Sequence, residues 1–160
     1  MTHTIHLAFG SNLGDRQANL AAAIQALPPA VHVTARSPIY ETLPWGFVDQ
    51  PRFLNMVLRG RTALPPMELL SFLKELEIRL GRQPGFRNGP RLIDIDILLY
   101  GRLVCDLPGL TLPHPRLHER PFVLVPLADL APHLIHPVLH RQVQVLLAGL
   151  DRTGVELFKP

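Results

Sequence analysis

Cysteine is nearly absent from this sequence: Cys105 is the only one among 160 residues, so no disulfide can form within the chain. The opening residues, MTHTIHLAFG, lack both the basic start and the uninterrupted apolar stretch of a signal peptide. No segment approaches the roughly 20 apolar residues that a membrane-spanning helix needs. These absences argue against a disulfide-stabilised secreted protein and a helical membrane protein, and we expect a soluble, cytoplasmic protein with no membrane partner.

The chain also lacks any lysine-rich run, although it is basic overall, with a net charge of +3 and a sequence pI of about 9.6. Most of the positive charge is carried by arginine, whose planar guanidinium can make paired hydrogen bonds with phosphate. A basic balance suits a polyanionic partner, for which nucleic acid and a nucleoside triphosphate are both candidates. Because several arginines lie in loops, we favour a small phosphorylated ligand.

Hydrophobic patterning along residues 1–100 predicts an α+β fold, the ferredoxin-like β-α-β-β-α-β sandwich, in which two helices cover one face of a four-stranded sheet. The expected strands are 5–9, 31–40, 53–61 and 92–100, and the expected helices lie within 11–29 and 65–82. With 47% hydrophobic residues, the chain is long enough for a single domain with its own core. Residues 101–160 then form a proline-rich C-terminal extension, with a short helix near 126–131 and a longer one near 139–150.

Two aspartates interrupt the apolar run of the last expected strand, in the stretch NGPRLIDIDILLYG at 88–101. Asp94 and Asp96 lie two residues apart and so point to the same face, with α-carbons roughly 6.6 Å apart at strand spacing. Paired carboxylates suit Mg²⁺, which prefers oxygen ligands and usually takes one or two carboxylates together with substrate phosphates. The alternative is that both carboxylates lie on a solvated face and only pair with arginines.

Two long loops precede strands that carry polar residues, and long ordered loops are often binding loops. The loop at 41–52 is ETLPWGFVDQPR, and the loop at 82–91, RQPGFRNGPR, contains three arginines immediately before the aspartate pair. Arginines facing a triphosphate could neutralise charge that develops during phosphoryl transfer. Solvated loop charges are the alternative interpretation.

Phe53 and Asn55 share one face of an expected strand, where an aromatic ring beside an amide would make a seat for a flat heterocycle. A core phenylalanine beside a strand-end asparagine is the alternative. The sequence GSNLG at 10–14 lacks the ending of a phosphate-binding loop, and we interpret it as a strand-to-helix turn.

Taken together, these segments resemble the 6-hydroxymethyl-7,8-dihydropterin pyrophosphokinase family of folate biosynthesis. The resemblance is carried, in the family's order and spacing, by GSNLGD near the N-terminus, YETLPWG at 40–46, FLNMV at 53–57, GPRLIDIDILLYG at 89–101 and LPHPRLHERPFVLVPLADLAP at 112–132. It implies an enzyme that transfers pyrophosphate from ATP to a pterin alcohol. It also implies that two Mg²⁺ ions bridge ATP to Asp94 and Asp96.

The resemblance further implies individual roles for site residues. Arg82 and Arg91 would assist the transfer, and the pterin would stack between Phe53 and Phe122 while the Asn55 amide hydrogen-bonds to it. The remaining pterin contacts would come from the loop residues Thr42, Leu43 and Trp45. The ATP site would comprise Glu77, Arg82, Arg91, Ile97, His114 and Arg120.

Two positions depart from the family pattern. Phe53 replaces a tyrosine often found there, and Asn88 stands where an aromatic residue often precedes GPR, with Phe86 and Arg87 as candidate substitutes. Two other functions stay open at this stage: a module that binds single-stranded RNA, and a two-metal nucleotidyl transferase on the same fold. We expect a monomer whose partners are ATP and 6-hydroxymethyl-7,8-dihydropterin, with no nucleic-acid partner.

Overall fold

The computed structural model of the protein describes residues 1–46 and 48–160. The β-α-β-β-α-β core consists of β1 (His3–Ser11), α1 (Arg16–Gln25), β2 (Val31–Arg36), β3 (Tyr40–Thr42), β4 (Phe53–Thr62), α2 (Pro66–Arg79) and β5 (Asp94–Tyr100). The sequence expected one strand at 31–40, but the structure has two. Pro38 cannot donate a ladder hydrogen bond, so the chain leaves the sheet after Arg36 and returns at Tyr40.

The central sheet has the ferredoxin-like strand order β5-β1-β4-β2, and each neighbouring pair is antiparallel. This confirms the predicted fold class. The long strand β4 pairs with β2 along its second half and with β3 along its first half. A further strand, β8 (Val155–Leu157), comes from the C-terminal end of the chain and extends the sheet beside β3.

Alternation along the strands gives the sheet two apolar faces. On the first face, Ile5, Leu7 and Phe9 of β1 pack against α1 and α2, as predicted. Asp15 begins α1 by accepting a hydrogen bond from the Ala18 N–H, which is a common way for a helix N-terminus to satisfy its free donors. The first face therefore holds the main hydrophobic core.

The C-terminal extension covers the second face. It contains the hairpin β6 (Cys105–Leu107) and β7 (Leu110–Leu112), a single 3₁₀ turn at Leu117–Glu119, and helices α3 (Pro121–Leu130) and α4 (Val143–Ala148). Its core is formed by Val57, Leu98, Leu99, Leu117, Val123, Leu124, Leu127, Val143 and Leu147. Within the described residues, no helix has both the length and the apolar character needed to cross a bilayer.

The expected boundaries of the two extension helices were wrong. Helix α3 begins at Pro121, five residues earlier than 126, because proline is tolerated at the first helical position where its missing N–H has no partner to lose. Pro126 lies inside α3, and its cost of about 3 kcal/mol is offset by the burial of neighbouring apolar side chains. Helix α4 begins only at Val143, since His140 has a left-handed φ of 56° that no α-helix accommodates.

Candidate functional site

A cavity of about 280 Å³ opens on the second face of the sheet, where α3 leaves the ends of β1, β4 and β5 uncovered. It brings together all of the sequence-predicted site residues except Glu77 and Ile97: Thr42, Leu43, Trp45, Phe53, Asn55, Arg82, Arg91, Asp94, Asp96, His114, Arg120 and Phe122. These residues come from four separate segments of the chain. The fold therefore assembles in one place groups that the sequence only suggested separately.

Small residues on the central strand make room for the cavity. Ala8 of β1 lies opposite Asp96 of β5, and Gly10 lies between Asp94 on one side and Asn55 of β4 on the other. Larger side chains on β1 at these two positions would fill the gap between the carboxylates and the amide. The carboxylates of Asp94 and Asp96 and the side chains of Phe53 and Asn55 therefore line the same cavity.

The two aspartates have different surroundings. Asp94 Oδ1 accepts a hydrogen bond from Arg82 Nη1 at 3.1 Å. Asp96 is half-buried, and burial together with the nearby negative charge of Asp94 raises the pKa of its carboxyl to about 7. Asp94 is thus paired with Arg82, while burial and Asp94 make the negative charge of Asp96 unfavourable, and a bound cation would offset that cost.

Glu77 holds Arg82 in place from beneath the cavity. Glu77 is only 1% exposed; its Oε2 accepts the Ile95 N–H at 2.7 Å, and its Oε1 lies 2.7 Å from Arg82 Nη1. Burial raises the pKa of Glu77, and Lys74, whose Nζ lies 3.3 Å away, opposes that shift. The structure thus places Glu77 behind Arg82 rather than in the cavity wall.

Ile97 lies on the first face of the sheet, where its side chain packs in the main hydrophobic core. It also borders a second cavity of about 420 Å³ that is lined by β5, α2 and the β6-β7 hairpin. Asp96 and His114 line both cavities, so the two spaces meet at these residues. Apart from Glu77, the predicted nucleotide residues therefore line one or both of these two adjoining cavities.

His114 and Arg120 lie on the side of the site formed by the C-terminal extension. The His114 N–H donates to the Leu98 carbonyl at 2.9 Å, and burial, aided by the charge of Arg120, lowers the pKa of its imidazole to about 4. Arg120 Nε is buried and has no hydrogen-bond partner among the described residues. An unsatisfied buried donor of this kind costs about 1–3 kcal/mol, and an anionic ligand oxygen would relieve that cost.

The aromatic part of the site is formed by Phe53 and by Trp45 and Phe122, whose ring centroids lie 5.9 Å apart. Beside it, Asn55 Nδ2 donates to Thr42 Oγ1 at 2.6 Å. That bond fixes which edge of the Asn55 amide faces the cavity. Phe86 and Arg87 were the candidate substitutes for the aromatic residue whose place Asn88 takes. Arg87 lines the cavity, while the exposed ring of Phe86 lies over Gly89.

The sequence did not indicate that Asn12 contacts the site loops. The turn GSNLG was confirmed, with β1 ending at Ser11 and α1 beginning at Arg16, but Asn12 within it is buried and bonded to both site loops. Its Oδ1 accepts the Arg91 N–H at 2.8 Å across 79 residues of sequence. Arg91 in turn donates from its guanidinium to the carbonyls of Phe86 and Pro90. No local pattern in the sequence signals such a contact.

The raised pKa of Asp96 predicts a pH-dependent stability for the protein without ligands. A carboxyl that binds its proton more tightly when folded stabilises the folded state at low pH, and this contribution is lost as the pH rises from about 4 towards 7. Burial lowers the pKa values of His6 and His114 to about 4, so these residues act in the opposite direction over the same range. The Asp96 contribution is therefore isolated by comparison with Asp96→Asn.

We expect the free energy of unfolding of the wild type, relative to that of Asp96→Asn, to fall on the order of a few kcal/mol between pH 4 and pH 7. Urea denaturation at several pH values measures this difference. If the two proteins kept a constant difference across the range, the raised pKa of Asp96 would be wrong.

Fold and site together define an α+β protein of ferredoxin-like topology with one cavity suited to both phosphate groups and a flat aromatic ring. The comparisons with known proteins make this specific: the model of the 7,8-dihydro-6-hydroxymethylpterin-pyrophosphokinase (HPPK) family matches residues 6–132. The chain belongs to this family.

Several bacterial relatives are similar over nearly their whole length. The 2-amino-4-hydroxy-6-hydroxymethyldihydropteridine pyrophosphokinase of Pseudomonas aeruginosa is 42% identical over 98% of this chain and 97% of that protein. The protein of the same name in Bacillus subtilis is 41% identical over 99% of this chain and 92% of its own length. In contrast, the match to the folic acid synthesis protein FOL1 of Dictyostelium discoideum, at 44% identity, covers 94% of this chain but only 23% of that relative.

Solved structures agree on the fold. The crystal structure of Plasmodium falciparum HPPK-DHPS with pterin and p-hydroxybenzoate superposes with a TM-score of 0.75 at 16% identity, covering 92% of this chain and 42% of that one. At this identity the likeness concerns the fold alone.

Proposed function

We propose that this protein transfers pyrophosphate from ATP to the hydroxymethyl group of 6-hydroxymethyl-7,8-dihydropterin, giving AMP and the pterin diphosphate, as a step of folate biosynthesis. Family membership and the names of the full-length bacterial relatives support the reaction. The structural observation that carries the proposal is the single cavity in which an acid-and-arginine cluster adjoins a ring-and-amide slot. A phosphate donor and a flat acceptor would meet there.

The pterin would occupy the part of the cavity between Phe53 and Phe122. Its ring would stack on these side chains, and the Asn55 amide would pair with one of its hydrogen-bonding edges. The Thr42 hydroxyl accepts a hydrogen bond from Asn55 Nδ2. The other Nδ2 hydrogen and Oδ1 of Asn55 would then pair with the ligand. Leu43 and Trp45 would close this end of the cavity.

Gly10→Ala is expected to weaken pterin binding about tenfold while leaving nucleotide binding unchanged. Displacing the Asn55 amide should cost about as much free energy as the loss of one hydrogen bond to the pterin. A Cβ at residue 10 would lie 2.9 Å from Oδ1 of Asn55, so the amide must shift. Titration calorimetry of each ligand measures the effect.

Gly149→Ala is the matched control, since a Cβ there would meet its nearest atom at an ordinary 3.7 Å. Unchanged pterin affinity in Gly10→Ala would show that the position of the Asn55 amide does not matter.

ATP would span the two adjoining cavities. Its triphosphate would pass Asp96 and His114, where the spaces meet, and its nucleoside would enter the second cavity beside Ile97. Arg120 Nε, which has no hydrogen-bond partner among the residues that the structure describes, would donate to a phosphate oxygen. Arg82, held by the buried Glu77, would face the same phosphate groups. With a pKa near 4, His114 would contact the phosphates as a neutral ring.

Asp94 and Asp96 would hold the Mg²⁺ ions that accompany ATP. Their oxygens are the ligands that this metal prefers. The raised pKa of Asp96 indicates that its negative charge is unfavourable, and a bound divalent cation would offset that cost. When bound, Mg²⁺ neutralises phosphate charge and stabilises the attacking and leaving oxygens. A cation at Asp94 would also compete with Arg82 for that carboxylate. Arg82 would then keep its ion pair with Glu77 and would be available to contact the phosphates.

In the reaction, the pterin hydroxyl oxygen forms a bond to the β-phosphorus of ATP, and the bond from that phosphorus to the α,β-bridging oxygen breaks. AMP leaves with the bridging oxygen, and the hydroxyl proton is released. This chain's residues contribute position and charge: Phe53, Asn55 and Phe122 orient the acceptor, and Arg82 and Arg91 stabilise the charge on the transferred group. No covalent intermediate with the protein is required.

Ligand binding gives a direct test of the site. Titration calorimetry with a non-hydrolysable ATP analogue should show binding that requires Mg²⁺ and that is lost in Asp94→Asn/Asp96→Asn. Binding of the analogue at equal strength with Mg²⁺ and with EDTA would contradict the assigned role of the aspartates.

A further inference from the structure

Helix α3 supplies one wall of the proposed pterin slot from its first turn. Phe122, the second residue of the helix, lines the main cavity together with Phe53 of β4. The distance between these two rings depends on how far α3 lies above strands β3 and β4. Apolar packing holds the helix on the second face of the sheet, but this attraction is non-directional. A directional contact elsewhere on the helix would therefore help to fix its height and tilt.

Such a contact lies near the C-terminal end of α3. The hydroxyl of Tyr40, on β3, donates a hydrogen bond to Asp129 Oδ2 across 89 residues of sequence. Phe122, Val125 and Asp129 are three and four residues apart, so they lie along the same side of the helix. That side therefore carries a ring of the slot near one end and a carboxylate bonded to β3 near the other.

Tyr40 lies on the same face of the sheet as the polar groups of the slot. It pairs directly with Asn55 of β4, and Thr42, which accepts a hydrogen bond from the Asn55 amide, follows two residues later on β3. Directly paired residues share a face of the sheet, and so do residues two apart on one strand. The strand that supplies Thr42 to the slot is therefore the strand to which Asp129 is bonded.

The hydrogen bond from Tyr40 has a charged acceptor. Burial, together with the bond to the Asp129 carboxylate and the charge of that group, raises the pKa of Tyr40 to about 12, while the charge of Arg152 opposes the shift. The phenol therefore keeps its proton at neutral pH and remains a donor. Hydrogen bonds to ionised acceptors are stronger than those between neutral groups, so this contact is suited to holding a helix in place.

We infer that the hydrogen bond between Tyr40 and Asp129 positions α3 above β3 and thereby sets the width of the slot between Phe53 and Phe122. Tyr40 and Asp129 are positioning residues: among the described residues, both line a separate cavity of about 430 Å³ rather than the main one. A slot that is already held at its working width spares the ligand the cost of ordering it. The identity of the ligand in the slot rests on the proposed function, whereas the position of the helix does not.

Tyr40→Phe removes only the hydroxyl and keeps the aromatic ring on β3. Asp129→Ala removes the acceptor at an exposed position, and Asp129→Asn is the conservative variant, because its side-chain oxygen can still accept from the phenol. The matched control is Tyr100→Phe: the Tyr100 hydroxyl also donates a hydrogen bond, to the Leu64 carbonyl at 2.6 Å, but it lies beside a different cavity at the far end of β5. Thermal unfolding of each variant shows whether the fold is kept.

Calorimetric titration of the complete chain measures the effect on each ligand. In Tyr40→Phe and in Asp129→Ala, we expect the dissociation constant of 6-hydroxymethyl-7,8-dihydropterin to rise about tenfold, on the scale of one hydrogen bond. That of a non-hydrolysable ATP analogue with Mg²⁺ should change by less than about twofold. The double variant should lose no more affinity than either single variant, because both changes remove the same bond. Asp129→Asn and Tyr100→Phe should stay within about threefold of the wild type.

Trp45 provides a readout that needs no ligand. Its ring centroid lies 5.9 Å from that of Phe122, and it is the only tryptophan in the chain. A shift of α3 would change this contact. Quenching of Trp45 fluorescence by acrylamide should therefore increase in Tyr40→Phe and Asp129→Ala, but not in Tyr100→Phe.

Unchanged pterin affinity or unchanged Trp45 quenching in a folded Tyr40→Phe variant would overturn the inference. Equal losses of affinity for the pterin and the nucleotide would also overturn it, because the bond would then support the fold in general. Additive losses in the double variant would show that the two residues act separately, and so would contradict it as well. Wild-type protein that bound neither ligand would instead count against the proposed function, and Trp45 quenching would still decide whether the bond positions α3.

Discussion

Replacing Asp96 by asparagine is expected to lower the rate of pyrophosphate transfer by about a thousandfold or more, the scale of the several kcal/mol that a bound metal supplies to a phosphoryl transition state. The asparagine would keep the shape of the side chain but lose the charge that makes the site suitable for Mg²⁺. The dependence of the remaining rate on Mg²⁺ concentration should also become weaker. Steady-state kinetics over a range of Mg²⁺ concentrations measures both effects.

We expect Asp96→Asn to keep the fold. The Asp96 carboxyl is half-buried beside Asp94, and its raised pKa shows that the negative charge is costly in the protein without ligands. Asp96→Asn should therefore be more stable than the wild type at pH 8, even though it is inactive. Asp151→Asn, a change at an exposed aspartate far along the chain, serves as the control and should keep the wild-type rate. A near-normal rate in Asp96→Asn would return the aspartate pair to the alternative of ordinary strand charges.

Asn55→Ala is expected to weaken pterin binding on the order of a hundredfold, because the loss of two hydrogen bonds leaves polar edges of the ligand unpaired in a closed site. Nucleotide binding should change by less than about threefold, since Asn55 lies on β4 across β1 from the aspartates. The large difference between the two ligands is the essential part of the prediction. Separate calorimetric titrations with the pterin and the ATP analogue measure it.

Thr42→Val provides a graded comparison for Asn55→Ala. It removes the hydroxyl that accepts from Asn55 Nδ2 at 2.6 Å but leaves the amide itself, so a smaller loss of pterin affinity is expected. Equal losses for pterin and nucleotide in Asn55→Ala would contradict the assignment of this residue to the pterin.

Residues 1–100 could be predicted well from the sequence because their patterns are local. Strand alternation and the apolar face of α2 each depend on residues that are close together in the sequence. The extension could not be predicted to the same detail. Its helix boundaries depend on Pro126 being tolerated in a buried helix and on the backbone of His140, and both follow from packing against the second face of the sheet.

The site shows the same division. Asp94, Asp96, Phe53 and Asn55 could be selected from strand spacing, and the family resemblance supplied the residues in loops. Asn12 escaped notice because its partners lie 38 and 79 residues away, and hydrogen bonds over such separations leave no periodic pattern. Glu77 was expected among the nucleotide contacts, but its place beneath Arg82 depends on helix α2 packing on β5, which only the assembled fold shows.

Membership of the HPPK family separates this protein from the RNA-binding module that its basic charge and fold also allowed. The nucleotidyl-transferase alternative differs from the proposed reaction in the phosphorus that is attacked, and so the products distinguish them. The most direct measurement is incubation of the purified protein with ATP, Mg²⁺ and 6-hydroxymethyl-7,8-dihydropterin, followed by chromatographic identification of every product. The account predicts equal amounts of AMP and the pterin diphosphate; formation of ADP, or of free pyrophosphate with a nucleotidylated pterin, would contradict it.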